Sequence, residues 1–163
     1  MYRVGIITAS DKGSMGERID ESGPKIKEIV SQFGYEVVYY KVFPDDKDLL
    51  SEEMKRICDE EIVDLLLTTG GTGFSKRDNT PEATLSVGEK QVPGISEAIR
   101  NYSMKFTPKA MLSRGVSVIR KGTLIINMPG SPKAVKESME CIMPALNHGL
   151  DILKGISGEC GRK

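Results

Sequence analysis

Residues 65–84 read LLLTTGGTGFSKRDNTPEAT. The leucine-rich start of this stretch predicts a buried strand, and Pro81 predicts the start of a helix. Between them lie three glycines, which let backbone N–H groups approach an anion closely, and the helix offers its positive end to the same loop. Lys76 and Arg77 can neutralise negative charge, while Asp78 can bind a divalent cation. The stretch therefore predicts a phosphate or nucleotide site in an α/β fold.

Strand-like and helix-like segments alternate along the chain. The predicted strands cover residues 2–8, 35–42, 65–69, 115–120 and 123–128. The predicted helices run from a Ser22 cap to Gly34, around Leu50 to Cys58, from 81 to 88, from 94 to 104, and from Ser131 onward with an interruption at Pro144. This order predicts one domain, residues 1–155, folded as a three-layer α/β sandwich with a mostly parallel central sheet. A turn at 121–122 predicts one antiparallel edge strand, and residues 156–163 are expected to form a polar tail.

The composition argues against several classes of protein. The 163 residues contain 23 Lys and Arg against 23 Asp and Glu and no Trp, so neither a basic field nor an aromatic platform attracts nucleic acid. No apolar run approaches the roughly 20 residues of a membrane helix, and no signal-peptide pattern is present. Cys58, Cys141 and Cys160 form no CxxC pair, and the single His148 gives no support to a Ser-His-Asp triad. We therefore expect a cytoplasmic protein with no nucleic-acid or membrane partner.

Three acids lie beyond the ends of three predicted strands: Asp11 after the first, Asp45 after the second and Asp78 after the third. In open α/β sheets, ligands bind outside the carboxyl ends of the strands, so we expect these carboxylates on one rim. The glycine loop at 70–73 and a second loop at 129–131 reach the same rim. This combination predicts a site for a metal-bound nucleotide together with a second anion.

Each of these candidates also has a purely structural interpretation. Asp45 could serve only as the cap of the next helix, and Asp11 could form only a local turn. The Gly-Ser pair at 130–131 could be the N-cap of the last helix, a role that is compatible with anion binding. The Ser-Arg pair at 113–114 could lie in solvent. Glu82 lies in the first turn of its predicted helix, where a carboxylate stabilises the helix dipole whatever its function.

The sequence also resembles a known family. TTGGTGF at residues 68–74, followed by Arg77-Asp78 and TPEAT at 80–84, is similar to the molybdopterin adenylyltransferases of molybdenum cofactor biosynthesis. Further similar positions lie at 4–8, 10–11, 22–24, 44–45, 111–114, 125–132 and 144–146, so that the resemblance spans nearly the whole chain. A sister branch with the same fold usually lacks the Arg-Asp-x-Thr-Pro sequence that this chain keeps.

The resemblance implies an enzyme that uses Mg²⁺ and transfers AMP from ATP to the terminal phosphate of molybdopterin, with release of pyrophosphate. It implies that Asp45 and Asp78 are catalytic and bind the Mg²⁺. By the same resemblance, the residues that bind substrate and nucleotide are Asp11, Gly70, Gly71, Thr72, Gly73, Glu82, Ser113, Arg114, Pro129, Gly130 and Ser131. A homotrimer and a downstream molybdenum insertase as partner are expected on this ground alone. Two alternatives remain: a non-catalytic molybdopterin carrier of the same pathway, and a generic nucleotide-binding domain.

Overall fold

The computed structural model describes residues 1–156; Cys160 and all but the first residue of the predicted polar tail lie outside them. Its strands are β1 (Arg3–Ala9), β2 (Glu36–Phe43), β3 (Leu65–Thr69), β4 (Lys90–Gln91), β5 (Ser117–Arg120) and β6 (Thr123–Met128). Its helices are α1 (Asp11–Ser14), α2 (Ser22–Gln32), α3 (Lys47–Asp59), α4 (Thr80–Val87), α5 (Pro93–Ser103) and α6 (Pro132–Leu153), with a 3₁₀ helix at Pro108–Leu112. The five strands predicted from the sequence all form.

The strands form one sheet in the order β2-β1-β3-β6-β5-β4. Strands β2, β1, β3 and β6 are parallel, whereas β5 is antiparallel to both β6 and the short β4. The predicted mostly parallel sheet is therefore confirmed, and one detail differs. The antiparallel strand β5 lies second from the edge, and β4 covers it. A strand of two residues has no periodicity, so the sequence analysis could not detect β4.

Helices cover both faces of the sheet. On one face, α2, α5 and α6 contribute Ile26, Ile99 and Met139 to a buried apolar cluster. On the other face, α3 and α4 contribute Met54 and Ala83 to a second cluster. Alternate leucines of β3 belong to opposite clusters, as expected for a parallel strand that is buried on both sides. The three-layer architecture is confirmed.

Helix α6 continues through Pro144, where the sequence predicted an interruption. Proline removes one backbone N–H, and the carbonyl that loses its partner belongs to Glu140. Pro144 is exposed, so water can reach that carbonyl, while Met143 and Leu146 are buried against the sheet. Burial of the apolar helix face therefore outweighs the local cost of the proline.

Ser22 is not the N-cap of α2 that the sequence predicted. The carboxylate of Asp20 takes this role by accepting hydrogen bonds from the N–H groups of Ser22 at 3.0 Å and Gly23 at 3.2 Å. The Ser22 hydroxyl instead donates to the carbonyl of Gly130 at 2.7 Å. This bond ties the start of α2 to the loop that precedes α6.

Candidate active site

The loops after β1 and β3 meet at the carboxyl end of the sheet. Strands β1 and β3 are neighbours in the sheet, but the chain continues from β1 to β2 on one side and from β3 to β4 on the other. Connections that leave in opposite directions open a ligand crevice between the two strands. The contact is close: a Cβ at Gly70, whose φ is +91°, would collide with the carbonyl oxygen of Ala9. A Cβ at Gly130 would lie 3.4 Å from the Cα of Gly70. The loop after β6 therefore closes on the same point.

A cleft of about 470 Å³, which we call the acidic cleft, opens where these loops meet. Its lining includes five residues that the sequence predicted as site residues: Asp45, Asp78, Gly70, Gly71 and Gly130. The structure thus brings together two acids that are separated by 33 positions in the sequence, together with parts of both glycine loops.

Asp20 also lines the acidic cleft, and the sequence analysis missed it. Its Oδ2 atom accepts hydrogen bonds from the hydroxyls of Thr8 at 2.6 Å and Tyr40 at 2.5 Å, in addition to the two N–H groups that Oδ1 receives. An acid just before a helix start was the only signal that could have found it. Because both oxygens are occupied, Asp20 holds the wall of the cleft in place.

Asp11 and Asp45 join the loops after β1 and β2. The N–H of each donates to the carboxylate of the other, both at 3.0 Å. Arg77, which the sequence suggested for phosphate, binds Asp11 through two hydrogen bonds of 2.6 and 2.9 Å. Helix α3 is capped by Asp46, which accepts from Leu49 N–H at 3.0 Å, so Asp45 is not its cap. Within residues 1–156, the Oδ1 atom of Asp45 receives no hydrogen bond and is available to a ligand.

The charges around these two acids differ. The hydrogen bonds from Arg77 hold the pKa of Asp11 below its usual value. Burial raises the pKa of Asp45, and repulsion from Asp11 and Asp78 adds to this effect. A cation placed near Asp45 would relieve that repulsion.

Asp78 lies inside the ten-residue loop between β3 and α4. Its Oδ2 atom accepts from the N–H of Ser75 at 3.0 Å. A Cβ at Gly73 would come within 2.9 Å of the same oxygen, so a larger residue at position 73 would displace the carboxylate. In the part of the chain that the structure describes, no hydrogen bond reaches the Oδ1 atom of Asp78.

Arg114 binds the loop between β3 and α4 through both its side chain and its backbone N–H. Its Nε atom donates to the carbonyl of Gly73 at 2.8 Å, and Nη2 donates to the carbonyl of Asp78 at 2.7 Å. Nη1 forms an ion pair with Glu82, and the Arg114 N–H donates to the carbonyl of Thr72 at 2.9 Å. Arg114 is therefore not a solvated surface residue. In this structure Arg114 and Glu82 fix the loop, and the guanidinium has its contacts within the protein.

A second cavity of about 260 Å³ is lined by the second half of the glycine loop. Its lining includes four further predicted residues, Thr72, Gly73, Ser113 and Pro129. The predicted residues Asp11, Glu82, Arg114 and Ser131 are in the lining of neither cavity. The sequence analysis missed other members of its lining, of which Glu137 is the most unusual because it is charged and only 8% exposed. Its sole sequence signal was an acid close to the apolar stripe of α6, which a solvated helix also shows.

Two hydroxyl groups fix the backbone of the loop at 129–131. The Thr69 hydroxyl donates to the carbonyl of Pro129 at 2.6 Å, next to the bond from Ser22 to Gly130. Ser131 caps α6 by accepting from the N–H of Ala134 at 3.2 Å, as one interpretation of the sequence predicted. The loop therefore has a fixed shape at the edge of the cleft.

Asp45 and Asp78 suit a magnesium ion that arrives with a nucleotide. Mg²⁺ in such sites is held by one or two carboxylates together with waters and substrate phosphates. Each of these aspartates keeps one carboxylate oxygen unoccupied by the protein. No group of three or more His, Cys, Asp or Glu within residues 1–156 is arranged to hold a metal by itself.

Comparison with known proteins identifies the family. A family profile described as a probable molybdopterin binding domain matches residues 5–148. A molybdopterin adenylyltransferase from Helicobacter pylori is 42% identical over 154 residues, which cover 93% of this chain and 88% of that protein. The molybdopterin adenylyltransferase of Escherichia coli K12 is 39% identical over 148 residues, 88% of this chain and 74% of that protein. The crystal structure of the molybdopterin biosynthesis enzyme MoaB from Thermus thermophilus matches with a TM-score of 0.90 at 44% identity, covering 95% of this chain and 98% of that one. The chain therefore belongs to the molybdopterin-binding domain family of molybdenum cofactor biosynthesis.

Proposed function

We propose that the protein is a molybdopterin adenylyltransferase, which transfers AMP from ATP to the terminal phosphate of molybdopterin and releases pyrophosphate. The observation that carries this proposal is the glycine loop at 70–73, whose residues contribute to the linings of both cavities. Two substrates, one bound in each cavity, would bring their phosphates together at the backbone of this loop. The relatives from Helicobacter pylori and Escherichia coli, at 42% and 39% identity, are molybdopterin adenylyltransferases, which supports the same reaction.

We assign the nucleotide to the acidic cleft, because Asp45 and Asp78 suit a magnesium-bound phosphate chain. The pterin is assigned to the second cavity, which combines the apolar side chains of Ile99 and Leu112 with the buried carboxylate of Glu137. Apolar side chains can pack on the faces of a pterin ring, and a carboxylate can accept hydrogen bonds from its N–H groups. The acidic cleft therefore offers carboxylates for a metal-bound phosphate chain, whereas the second cavity offers apolar walls and a hydrogen-bond acceptor for a pterin ring.

In this assignment Asp45 and Asp78 would hold Mg²⁺ through their Oδ1 atoms. The ion, when bound, supplies positive charge that neutralises the phosphate oxygens during transfer. The protein contributes the orientation of both carboxylates, through the Asp11 N–H for one and the Ser75 N–H for the other. With both carboxylates on the cleft lining, a bound ion would orient the phosphate chain of the nucleotide.

The attacking group is a phosphate oxygen, which is already an anion at neutral pH. It forms a bond to the α-phosphorus of ATP while the bond from that phosphorus to the bridging oxygen of pyrophosphate breaks. No proton has to be removed from the nucleophile, so positioning and charge neutralisation carry most of the catalysis. Neither cavity is lined by histidine, in accord with this chemistry.

The homotrimer, the molybdenum insertase as downstream partner and the cytoplasmic location are proposed from the family resemblance. Cys58 and Cys141 are free thiols, as a reducing compartment predicts. Within residues 1–156, no helix combines the length and the apolar character that crossing a bilayer requires.

An adenylylation assay tests the proposal. The full chain would be incubated with molybdopterin and Mg-ATP, and adenylylated pterin and pyrophosphate would be measured. We expect product from the wild type and a loss of roughly 10²–10³-fold in turnover for Asp78→Asn, because a charge that acts on the transition state is removed. Asp46→Asn is the matched control, since Asn also caps helices and Asp46 lies outside the cleft.

Two outcomes would contradict the proposal. If the wild type binds molybdopterin but forms no pyrophosphate, the protein is a carrier. If ATP binds without any dependence on pterin and no adenylylated pterin forms, the acidic cleft serves another substrate.

A further inference from the structure

Thr80 is a buried residue whose hydroxyl group has no assigned role. It is the first residue of α4, and its side chain is fully buried. Within the part of the chain that the structure describes, its Oγ1 atom has no hydrogen-bond partner. Buried hydroxyls in folded proteins nearly always have a partner, so an orphan of this kind indicates a ligand or a water.

The geometry around Gly71 shows where this hydroxyl points. A Cβ at Gly71, whose φ is +67°, would collide with Thr80 Oγ1 and would lie 3.1 Å from Asp45 Oδ1. The hydroxyl and the unoccupied carboxylate oxygen therefore flank the same point beside the backbone of Gly71. Because both oxygens lie within 3.1 Å of that point, a single bridging water can reach the two of them.

The backbone keeps Thr80 in this position. Its N–H donates to the carbonyl of Gly71 at 3.2 Å, which closes the loop that carries Asp78. Asp45 is held from the opposite side, because its Oδ2 atom accepts the N–H of Asp11. The two partners of a bridging water are thus both anchored, and the water would lie at the wall of the acidic cleft.

We propose that Thr80 is a positioning residue for Asp45. Its hydroxyl binds a water that is shared with Asp45 Oδ1, and this water fixes the carboxylate in the orientation that receives a metal-bound nucleotide. The inference rests on the proposed function, since it assigns the water to the metal–nucleotide site. It accords with the preference of Mg²⁺ for keeping several waters when only one or two carboxylates bind it.

Thr84 provides a matched control one helical turn later on α4. Its side chain is also fully buried, but its hydroxyl donates to the carbonyl of Thr80 at 2.8 Å and accepts from the amide of Asn127 at 2.8 Å. Replacing Thr84 by Val leaves one N–H of the buried Asn127 amide without its partner, while the other still donates to the Thr68 hydroxyl. Replacing Thr80 by Val removes a hydroxyl that has no protein partner. The same chemical change should therefore affect stability at one position and the site at the other.

The experiment measures metal–nucleotide binding separately from turnover. Mn²⁺ replaces Mg²⁺ as the probe, and its affinity in the presence of ATP is followed by electron paramagnetic resonance for the wild type, Thr80→Val, Thr80→Ser and Thr84→Val. Thermal unfolding is recorded for the same proteins. Adenylylation assays give kcat and the metal concentration for half-maximal rate.

We expect Thr80→Val to weaken Mn²⁺-ATP binding about 10-fold, as loss of an outer contact to a metal site does, with Tm equal to or above that of the wild type. Thr80→Ser should restore the affinity to within about 3-fold, because it keeps the hydroxyl. Thr84→Val should lower Tm by roughly 2–4 °C or more and leave the affinity unchanged.

Wild-type affinity in Thr80→Val would overturn the proposal. So would a fall in Tm at Thr80 that matches the one at Thr84 and is accompanied by no separate loss of metal binding. A wild type that binds Mn²⁺-ATP without forming adenylylated pterin would contradict the transferase, while the comparison of affinities would still decide the role of Thr80.

Discussion

Two aspartates lie near opposite ends of the sheet in opposite electrostatic surroundings. Asp64 precedes β3 at the amino end, is only 4% exposed, and has ion pairs with Arg3 at 3.0 Å and Lys154 at 2.7 Å. Asp45 follows β2 at the carboxyl end, and its carboxylate is repelled by those of Asp11 and Asp78. One acid is therefore neutralised by ion pairs of its own, whereas the other has two acidic neighbours and the more distant charge of Arg77, which is bound to Asp11.

The difference is visible in the pKa values of the two carboxyls. Burial by itself raises the pKa of Asp64, but the bonds from Arg3 and Lys154 outweigh burial and lower that pKa to about 2. Burial raises the pKa of Asp45, and its acidic neighbours raise it further. An acid with its own cations supports the fold, whereas an acid among acids indicates a site for an external cation. Substitutions at the two positions can test this distinction.

The largest effect is expected for Asp45→Asn on turnover. Adenylylation should fall roughly 10²–10³-fold, because the charge opposite the phosphates is lost. Stability should stay the same or rise slightly, because a carboxylate with a raised pKa is unfavourable in its charged form. Steady-state kinetics and urea denaturation measure the two quantities. Retained turnover with lower stability would place Asp45 in the same class as Asp64.

The next effect is expected for Asp64→Asn on stability. The free energy of unfolding should fall by about 3 kcal/mol, because Arg3 and Lys154 lose their buried counter-charge. Turnover per folded molecule should remain within about 2-fold of the wild type, since Asp64 lies far along the strand from the cleft. Urea denaturation with a parallel activity assay checks both. A loss of turnover in fully folded Asp64→Asn protein would contradict the assignment of Asp64 to stability and of Asp45 to the site.

The smallest effect is the pH dependence of these differences in stability. The folded-state pKa of Asp64 lies below its unfolded value, so its contribution of roughly 2 kcal/mol is present above about pH 4 and is lost as pH falls toward 2. The wild type and Asp64→Asn should therefore converge in acid. The folded-state pKa of Asp45 is raised, so any gain in stability from Asp45→Asn should be greatest at neutral pH and vanish in acid. The free energy of unfolding, measured at several pH values, checks both trends. They would be refuted if Asp45→Asn and Asp64→Asn changed this free energy in the same direction at neutral pH.

The backbone of the acidic cleft was predictable from local sequence. A leucine-rich strand followed by glycines gives β3 and its loop without reference to the rest of the chain. The loops that follow parallel strands begin at the same edge of a sheet, which is why Asp45 and Asp78 could be placed together. These inferences need only strand direction and chain order.

The partners of each side chain were not predictable in this way. Arg77 could be expected near phosphate, but its contact with Asp11 depends on how two loops 66 positions apart are packed. The hydroxyl of Thr80 and the carboxylate of Glu137 acquire significance only because their helices lie against particular cavities. Sequence periodicity indicates which face of a helix is buried and does not identify what lies opposite.

The residues of the glycine loop form part of the wall of two cavities. If the backbone of this loop shifts to accommodate a ligand in one cavity, the shape of the other cavity changes as well. The two binding equilibria are then linked, and each ligand must change the affinity for the other by the same factor. Calorimetric titration of one ligand at increasing concentrations of the other would measure this coupling free energy directly.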